Sequence, residues 1–332
     1  MQHSSAFISR LDGQGMQVFE YPFPPLGGHK ALERVLECSG EELKDLESDT
    51  SRLYRPVEVE KRDGSSRKCF DPTPRLKRVQ GLLKHRILSK VRFPIYVQGG
   101  VRDIVCPRDY VANAALHVGS TLLINLDIAN FFPSTNRDLV FRIWHQFFHM
   151  KKKLAETLTN LTTLDGFLPQ GAPTSSYLAN LVFWKDEPRL VKMFEGMGIR
   201  YSRYVDDVAI SCSKPVDAEK VVGNAIGAFR QMASKYGFKL KNRKTEISTL
   251  GQRMQVTGLV VSDKVGLASE RKGFIRSSVK RLEYQLSAGT ASLGFDRELS
   301  RTSSQIGQMS RVNPGKARRL KARIDTVRKG RV

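Results

Sequence analysis

Tyr204-Val205-Asp206-Asp207 sits between two runs that alternate as strands do, Arg200-Tyr201-Ser202-Arg203-Tyr204 before it and Val208-Ala209-Ile210-Ser211 after it. This spacing predicts a β-hairpin whose tight turn holds both aspartates. Adjacent carboxylates repel one another, and a shared multivalent cation relieves the repulsion. All-oxygen ligands at an exposed turn suit Mg2+ better than zinc or copper. Taken alone, a solvated Asp-rich turn is the commoner explanation of such a string, since aspartate is a frequent turn former. The decision rests on what else in the chain is aimed at this hairpin.

The chain has 332 residues, enough for two or three subdomains around a sizeable core, and 40% of them are hydrophobic. Its charge is unusual: 55 Lys+Arg against 33 Asp+Glu give a formal +22, which implies a polyanionic partner. Interspersed aromatics, with no long amphipathic basic segment, favour nucleic acid over a membrane surface. There is no run of about 18 apolar residues to suggest a transmembrane helix. Nor does Met1-Gln2-His3-Ser4 lead into a charged-then-apolar leader. Cys38, Cys69, Cys106 and Cys212 are widely spaced and form no CxxC pair. That pattern fits reduced thiols in a cytoplasmic protein better than a zinc site or a disulfide framework.

Upstream of the hairpin, residues 1–28 are rich in turn formers and read as an irregular lead-in. Two short helices follow, one over residues 29–38 and one starting at Ser39, where Ser39 and Glu42 have capping-box spacing. Residues 54–70 form two strand-like runs around an Asp63-Gly64 turn, a hairpin carrying Lys61, Arg62, Arg67 and Lys68. That reads equally as a functional basic arm or as a solvated basic edge. An amphipathic helix is expected over 75–90. Asn113 and His117 fall on one face if 110–117 is helical, and a buried His–Asn hydrogen-bonded pair is the commoner cause of such spacing.

Thr121-Leu122-Leu123-Ile124-Asn125-Leu126-Asp127-Ile128 reads as a buried strand that delivers one carboxylate to a sheet rim. Ser134 or Thr135 is expected to cap one helix over 136–156. His145 and His149 lie four apart there, a spacing that reads as aromatic packing rather than a metal pair. Leu168-Pro169-Gln170-Gly171 makes a rigid loop, with Thr174 or Ser175 as the cap of the next helix. A helix over 216–236 leads to Gly237-Phe238 and on to Lys244-Thr245. Residues 270–332 hold 16 Lys+Arg against 5 Asp+Glu, half of the chain's net charge, in basic helices broken near Gly289, Gly294 and Pro314-Gly315. At that density nucleic-acid contact is expected.

The order of these pieces fits nucleotidyl transfer, which uses carboxylates around two Mg2+ ions about 3.5–4 Å apart. Asp127 and Asp206 are placed as the bridging pair, with Asp207 in support. Lys61 and Arg67 suit triphosphate oxygens, and Lys244 suits proton donation to the departing pyrophosphate.

Over about residues 54–261 the chain resembles reverse transcriptases. The likeness rests on the 61–67 arm, Leu126-Asp127-Ile128, Leu168-Pro169-Gln170-Gly171, Tyr204-Val205-Asp206-Asp207, and the stretch from Gly237-Phe238 to Lys244-Thr245. Two further strings resemble the bacterial retron branch: Asn113-Ala114-Ala115-Leu116-His117, an NAxxH pattern, and Val256-Thr257-Gly258, a VTG triplet. Val205 stands where many retron enzymes have Ala, and Asn130 replaces a frequent acidic residue; neither change removes a metal ligand.

The resemblance implies an α+β right-hand fold. Its parts would be an N-terminal helical extension (1–53), fingers with the NAxxH insert (54–120), a palm with an antiparallel sheet (121–264, with fingers elements near 160–180) and a basic helical thumb (265–332). It implies that Ile128 lends a backbone carbonyl to a metal ion. Asn130, Phe131, Gln170 and Gly171 would line the dNTP site, with Phe132 as the gate against ribonucleotides. Asn113, His117, Val256, Thr257, Gly258, Arg271, Lys272, Arg276, Lys280, Arg281, Arg318 and Arg319 would be the retron-specific and RNA-binding residues, with the thumb and the Val256-Thr257-Gly258 region recognising the RNA.

It further implies two Mg2+ ions, for which Mn2+ can substitute. A cognate structured non-coding RNA would be copied from the 2′-OH of a guanosine into a branched RNA–DNA molecule. An anti-phage effector protein and a host RNase H would be the other partners, with no membrane involved. Two other readings stay open here. One is a different bacterial reverse transcriptase, of group II intron or abortive-infection type. The other is an RNA-binding scaffold that restrains an effector.

Overall fold

The computed structural model describes residues 15–48, 50–60, 64–103, 106–214, 217–289 and 294–330. Lys61 and Arg62 of the expected arm lie outside the described residues. The chain opens with α1 (His29–Leu36) and α2 (Gly40–Ser48). The Ser39 hydroxyl accepts the Glu42 N–H at 3.1 Å, the capping bond expected of that pair. Strands β1 (Tyr54–Glu60) and β2 (Ser66–Pro72) pair antiparallel, with Glu60 opposite Ser66. Helix α3 (Pro74–Arg86) starts with proline in its first turn and buries Leu76, Val79 and Leu83, one helical stripe.

After β3 (Val97–Gln98) comes α4 (Tyr110–Ala115), capped by Asp109, whose carboxylate accepts the Val111 and Ala112 N–H groups. Strand β4 (Leu122–Asp127) is the apolar run seen in the sequence. Next come α5 (Phe131–Ser134), α6 (Arg137–Arg142), α7 (Lys152–Thr162), α8 (Ser175–Leu181) and α9 (Glu187–Gly196). The hairpin strands are β5 (Ile199–Tyr204) and β6 (Asp207–Cys212), followed by α10 (Ala218–Ser234) and β7 (Glu246–Thr249). A small hairpin, β8 (Gln255–Val256) and β9 (Leu259–Val260), leads to α11 (Ser269–Ser287), α12 (Phe295–Ser310) and α13 (Pro314–Lys329).

Five strands form one sheet in the order β3-β5-β6-β4-β7, antiparallel except for β3 against β5. Strand β4 ends and its neighbour β6 begins at the same rim. One face, through Leu122, Ile124, Leu126, Val208 and Ile210, joins the core built by α1–α3 and α5–α10. The other face, through Leu123 and Ala209, packs with Val256 and Leu259 and with apolar residues of α11–α13. The basic C-terminal helices therefore share a core with the back of the sheet. The α+β fold with an antiparallel palm and a helical C-terminal unit is the one expected.

The single helix expected over 136–156 is not formed. After α6 the chain widens into a π-type turn at Ile143–Phe147, and His149 is left-handed (φ 54°) before α7 starts. Trp144, Phe147 and Phe148 bury their rings across this break. His145 bonds the Met150 carbonyl at 2.8 Å, and the two histidines share no helical face. The expected Ser134 or Thr135 cap is replaced by Asn136, which accepts the Leu139 N–H. Thr174 stands at the N-cap of α8 as expected, but its hydroxyl makes no capping bond; Ser175 donates to the Pro169 carbonyl and ties down the preceding loop.

Candidate active site

Asp127 ends β4 directly opposite Asp207, the first residue of β6. The hairpin turn is thus Val205-Asp206, and Asp207 stands on the strand beside it rather than in the turn. Strand pairing brings the third carboxylate in: the Ile128 N–H donates to the Asp206 carbonyl at 3.0 Å. Only the first turn residue, Val205, has positive φ (61°), the pattern of a type II′ hairpin. A β-branched residue there stores about 1–3 kcal/mol of strain.

Charge governs this rim. Burial beside Asp127 holds the Asp206 carboxyl above the usual carboxylate range. Desolvation in the cleft, then repulsion from Asp206 and Asp127, pushes Asp207 up to about 6. Two lysines answer the charge: Lys241 Nζ lies 2.6 Å and Lys244 Nζ 2.7 Å from the two Asp127 oxygens. The bond to Asp127 raises the Lys244 ammonium above its ordinary value. Lys241 carries no motif of its own in the sequence. Its place three residues before Lys244, at the start of the 3₁₀ turn Asn242–Lys244, is the signal that could have found it.

With Asp127 turned to the lysines, no three His, Cys, Asp or Glu side chains converge among the described residues to hold an ion as they stand. The donor set nevertheless fits a hard divalent cation: it is all oxygen, and two of its carboxylates are held protonation-prone, first by burial and then by the charge of neighbouring carboxylates.

The arm and the Gln170 loop meet over this rim. Phe70 N–H donates to the Gln170 carbonyl at 2.7 Å, and the positive charge of Arg67 is felt at Asp206. Gly171 has φ 112°, and a Cβ there would stand 3.0 Å from the Phe70 carbonyl oxygen. We expect Gly171→Ala to push the arm away and raise the KM for dNTP about tenfold, with little change in RNA affinity; steady-state kinetics at varied dNTP checks this. Phe132 is half-buried, and Asn130 is exposed in a left-handed conformation (φ 48°). The Phe131 ring is 2% exposed and packs on Phe183 and Phe238.

The two retron-like strings lie against each other behind the rim. Ser202 donates to Asn113 at 2.7 Å, and the His117 ring bridges Ser202 and Ser211, both at 2.8 Å. With the Ser202 proton given to Asn113, His117 donates from Nε2 and accepts at Nδ1. Burial drives its pKa down to about 3, so the ring is neutral. Val256-Thr257-Gly258-Leu259 is a two-residue hairpin with positive φ at Thr257 (49°) and Gly258 (77°), a type I′ turn. The Thr257 hydroxyl donates to the Tyr110 carbonyl at 2.7 Å and pins the turn to α4. A cleft of about 300 Å³, lined by Asn113, Asn125, Asp127, Asp207 and Thr257, joins this region to the carboxylates.

Asn113, His117 and Val256 are at most 2% exposed and pack behind the rim. Thr257 and Gly258 remain accessible. Of the C-terminal residues, Arg271 and Lys272 are half-buried, whereas Arg276, Lys280, Arg281, Arg318 and Arg319 are exposed. Arg281 is engaged by Glu298. Among the described residues no helix is long and apolar enough to cross a membrane.

Residues 59–284 match the family model described as reverse transcriptase (RNA-dependent DNA polymerase). The chain is 30% identical over 308 residues to the retron Se72 reverse transcriptase of Salmonella heidelberg (strain 579083-10), covering 91% of this chain and 80% of that protein. It is 29% identical over 335 residues to the retron Ec48 reverse transcriptase of Escherichia coli, covering 96% and 81%. Against the retron Ec86 reverse transcriptase of Escherichia coli the identity is 29% over 262 residues, covering 78% and 79%. A carboxylate pair locked opposite one another in a palm sheet, under an arm and a loop that meet above it, agrees with these matches: the chain belongs to the retron reverse transcriptases and is an RNA-directed DNA polymerase.

Proposed function

We propose that the chain copies a cognate structured non-coding RNA into a branched RNA–DNA molecule, starting from the 2′-OH of a guanosine in that RNA and using dNTPs. The observation that carries the chemistry is the pairing of Asp127 with Asp207 beside the Asp206 turn. The retron relatives carry the choice of RNA substrate.

Asp127, Asp206, Asp207 and the Ile128 carbonyl would hold two Mg2+ ions, or Mn2+ in their place, which when bound activate the attacking hydroxyl and neutralise the triphosphate. The chain's own residues do the rest. Lys61 and Arg67 hold triphosphate oxygens, Arg67 through its bidentate fork. Asn130, Gln170 and Gly171 seat the nucleotide, and the Phe132 ring excludes a 2′-OH. As the hydroxyl releases its proton to solvent and its oxygen bonds to the α-phosphorus, the bond to pyrophosphate breaks, and Lys244 gives a proton to that leaving group. Thr257, Gly258, Arg271, Lys272, Arg276, Lys280, Arg318 and Arg319 contact RNA.

In this reading residues 54–120 act as fingers, 121–264 as palm and 265–332 as thumb, behind an N-terminal extension of 1–53. The enzyme works in the cytoplasm beside an effector protein in anti-phage defence, and a host RNase H removes the template. The retron likeness is the ground for that setting. Sequencing the nucleic acid that co-purifies with the protein tests it. One structured RNA joined to complementary DNA is expected; a mixture of unrelated RNAs without DNA would reject the retron substrate while leaving polymerase activity untouched.

A further inference from the structure

Behind the catalytic turn lies a charge pair that the reaction does not touch. Arg203 on β5 and Glu187 at the start of α9 both have fully buried side chains. Glu187 receives Arg203 Nε at 2.6 Å, a terminal guanidinium N–H at 2.8 Å and the Tyr201 hydroxyl at 2.7 Å. Arg203 also donates to the Asn180 side-chain oxygen at 3.0 Å, to the Asn180 carbonyl at 3.0 Å and to the Val205 carbonyl at 3.1 Å. Those bonds spend all five guanidinium N–H groups on fixed acceptors. Desolvating a charge pair has a cost that an apolar pair of similar volume avoids, so stability alone does not account for this one.

Its remaining bond goes to the part of the chain that matters. Val205 is the strained first residue of the turn, and the peptide it begins carries Asp206. Its carbonyl is held by Arg203, while its N–H donates to the Gln98 carbonyl at 3.2 Å. The floor under the turn is tied to the same group: Asn180 Nδ2 donates to the Gly99 carbonyl at 2.9 Å. A Cβ at Gly99, where φ is 70°, would stand 2.8 Å from the Tyr204 ring, so this floor leaves the turn no slack.

We propose that Glu187, Arg203 and Asn180 form a buried cradle that fixes the position of the Val205-Asp206 turn, and are positioning residues for nucleotide addition. Ligands to reacting groups must be held to within about 0.5 Å, and a planar guanidinium with every donor engaged supplies that rigidity where a flexible ammonium does not. The cradle acts through the turn carbonyl. It touches neither RNA nor nucleotide, so its effect falls on turnover.

The test is the full-length Arg203→Met/Glu187→Met variant on an RNA template with a DNA primer. This pair fills similar volume without leaving a lone buried charge. We expect a melting temperature no lower than that of the parent, RNA affinity and dNTP KM within twofold, and kcat reduced at least tenfold, with more divalent metal needed for half-maximal rate. A folded double variant with kcat within twofold of the parent overturns the proposal, as does an equal loss in RNA affinity and turnover, which marks a general packing defect. Should the double variant not fold, Arg203→Lys decides, since it keeps the charge opposite Glu187 with too few donors for the five acceptors. A selective kcat loss supports the cradle, and unchanged kcat overturns it.

Discussion

Replacing Asp206 and Asp207 together by Asn is expected to lower RNA-templated DNA synthesis by about 10³-fold or more, equivalent to about 4 kcal/mol of lost transition-state stabilisation, while RNA binding stays within about twofold. The exposed basic residues of α11–α13 sit on the second core and are untouched by the change. The same variant is expected to be more resistant to heat than the parent when metal is removed. Asp207 has a folded-state pKa raised from 3.8 to about 6, so the folded protein binds this proton more tightly than the unfolded chain does. Its stabilising contribution is complete below about pH 4 and is lost as pH rises through about 6. At pH 7.5 without metal the parent carries the full repulsion of the rim, and the Asn variant does not. Melting curves in chelator at pH 5 and pH 7.5 check this: the gap between parent and variant widens at the higher pH and closes for the parent when divalent metal is restored.

Lys244→Ala is expected to reduce kcat about 10²-fold at saturating dNTP, the usual scale for loss of a general acid, with dNTP KM changed by less than about threefold. Lys241→Ala is expected to behave differently. Both lysines grip Asp127, but the Lys241 backbone N–H also donates to the Asp127 carbonyl at 2.8 Å, a bond that survives the substitution. Removing its side chain leaves one cation fewer in competition with the metal for Asp127. The concentration of metal needed for half-maximal rate therefore falls, and kcat stays within about threefold. Metal titrations of the two variants separate the roles; identical behaviour would show that neither lysine acts as the acid.

Much of this site is legible in the sequence because its parts are local. An apolar run ending in Asp127, an alternating hairpin around Asp206 and a Gly171 loop each carry their own signal. The resemblance supplied their joint meaning. What the sequence hides is register and burial. Val205-Asp206 is the turn, and Asp207 belongs to the strand, because β5 pairs with β6 through Tyr204 and Asp207; no property of the four residues alone distinguishes that from a turn holding both aspartates. Asn113 and His117 are unmistakable as a motif, yet whether they bind or pack depends on Ser202 and Ser211, more than 80 residues away. The π-type turn at Ile143–Phe147 is likewise hidden, because Trp144, Phe147 and Phe148 keep the i, i+3, i+4 spacing of one helical face and helical periodicity reads straight through it. Arg203 looks like any charged residue in a strand, because a buried ion pair leaves no trace in a pattern of apolar positions.

Single-nucleotide addition on a defined RNA template tests the central claim most directly. Purified protein is given a primer annealed to RNA, divalent metal and one dNTP at a time, and extension is followed in the parent and in the Asp206→Asn/Asp207→Asn variant. The expected result is extension by the parent only with the dNTP complementary to the RNA base, only with metal, and none by the variant. Extension that ignores the RNA base, or that persists in the variant, would contradict the assignment of RNA-directed DNA synthesis to this carboxylate rim.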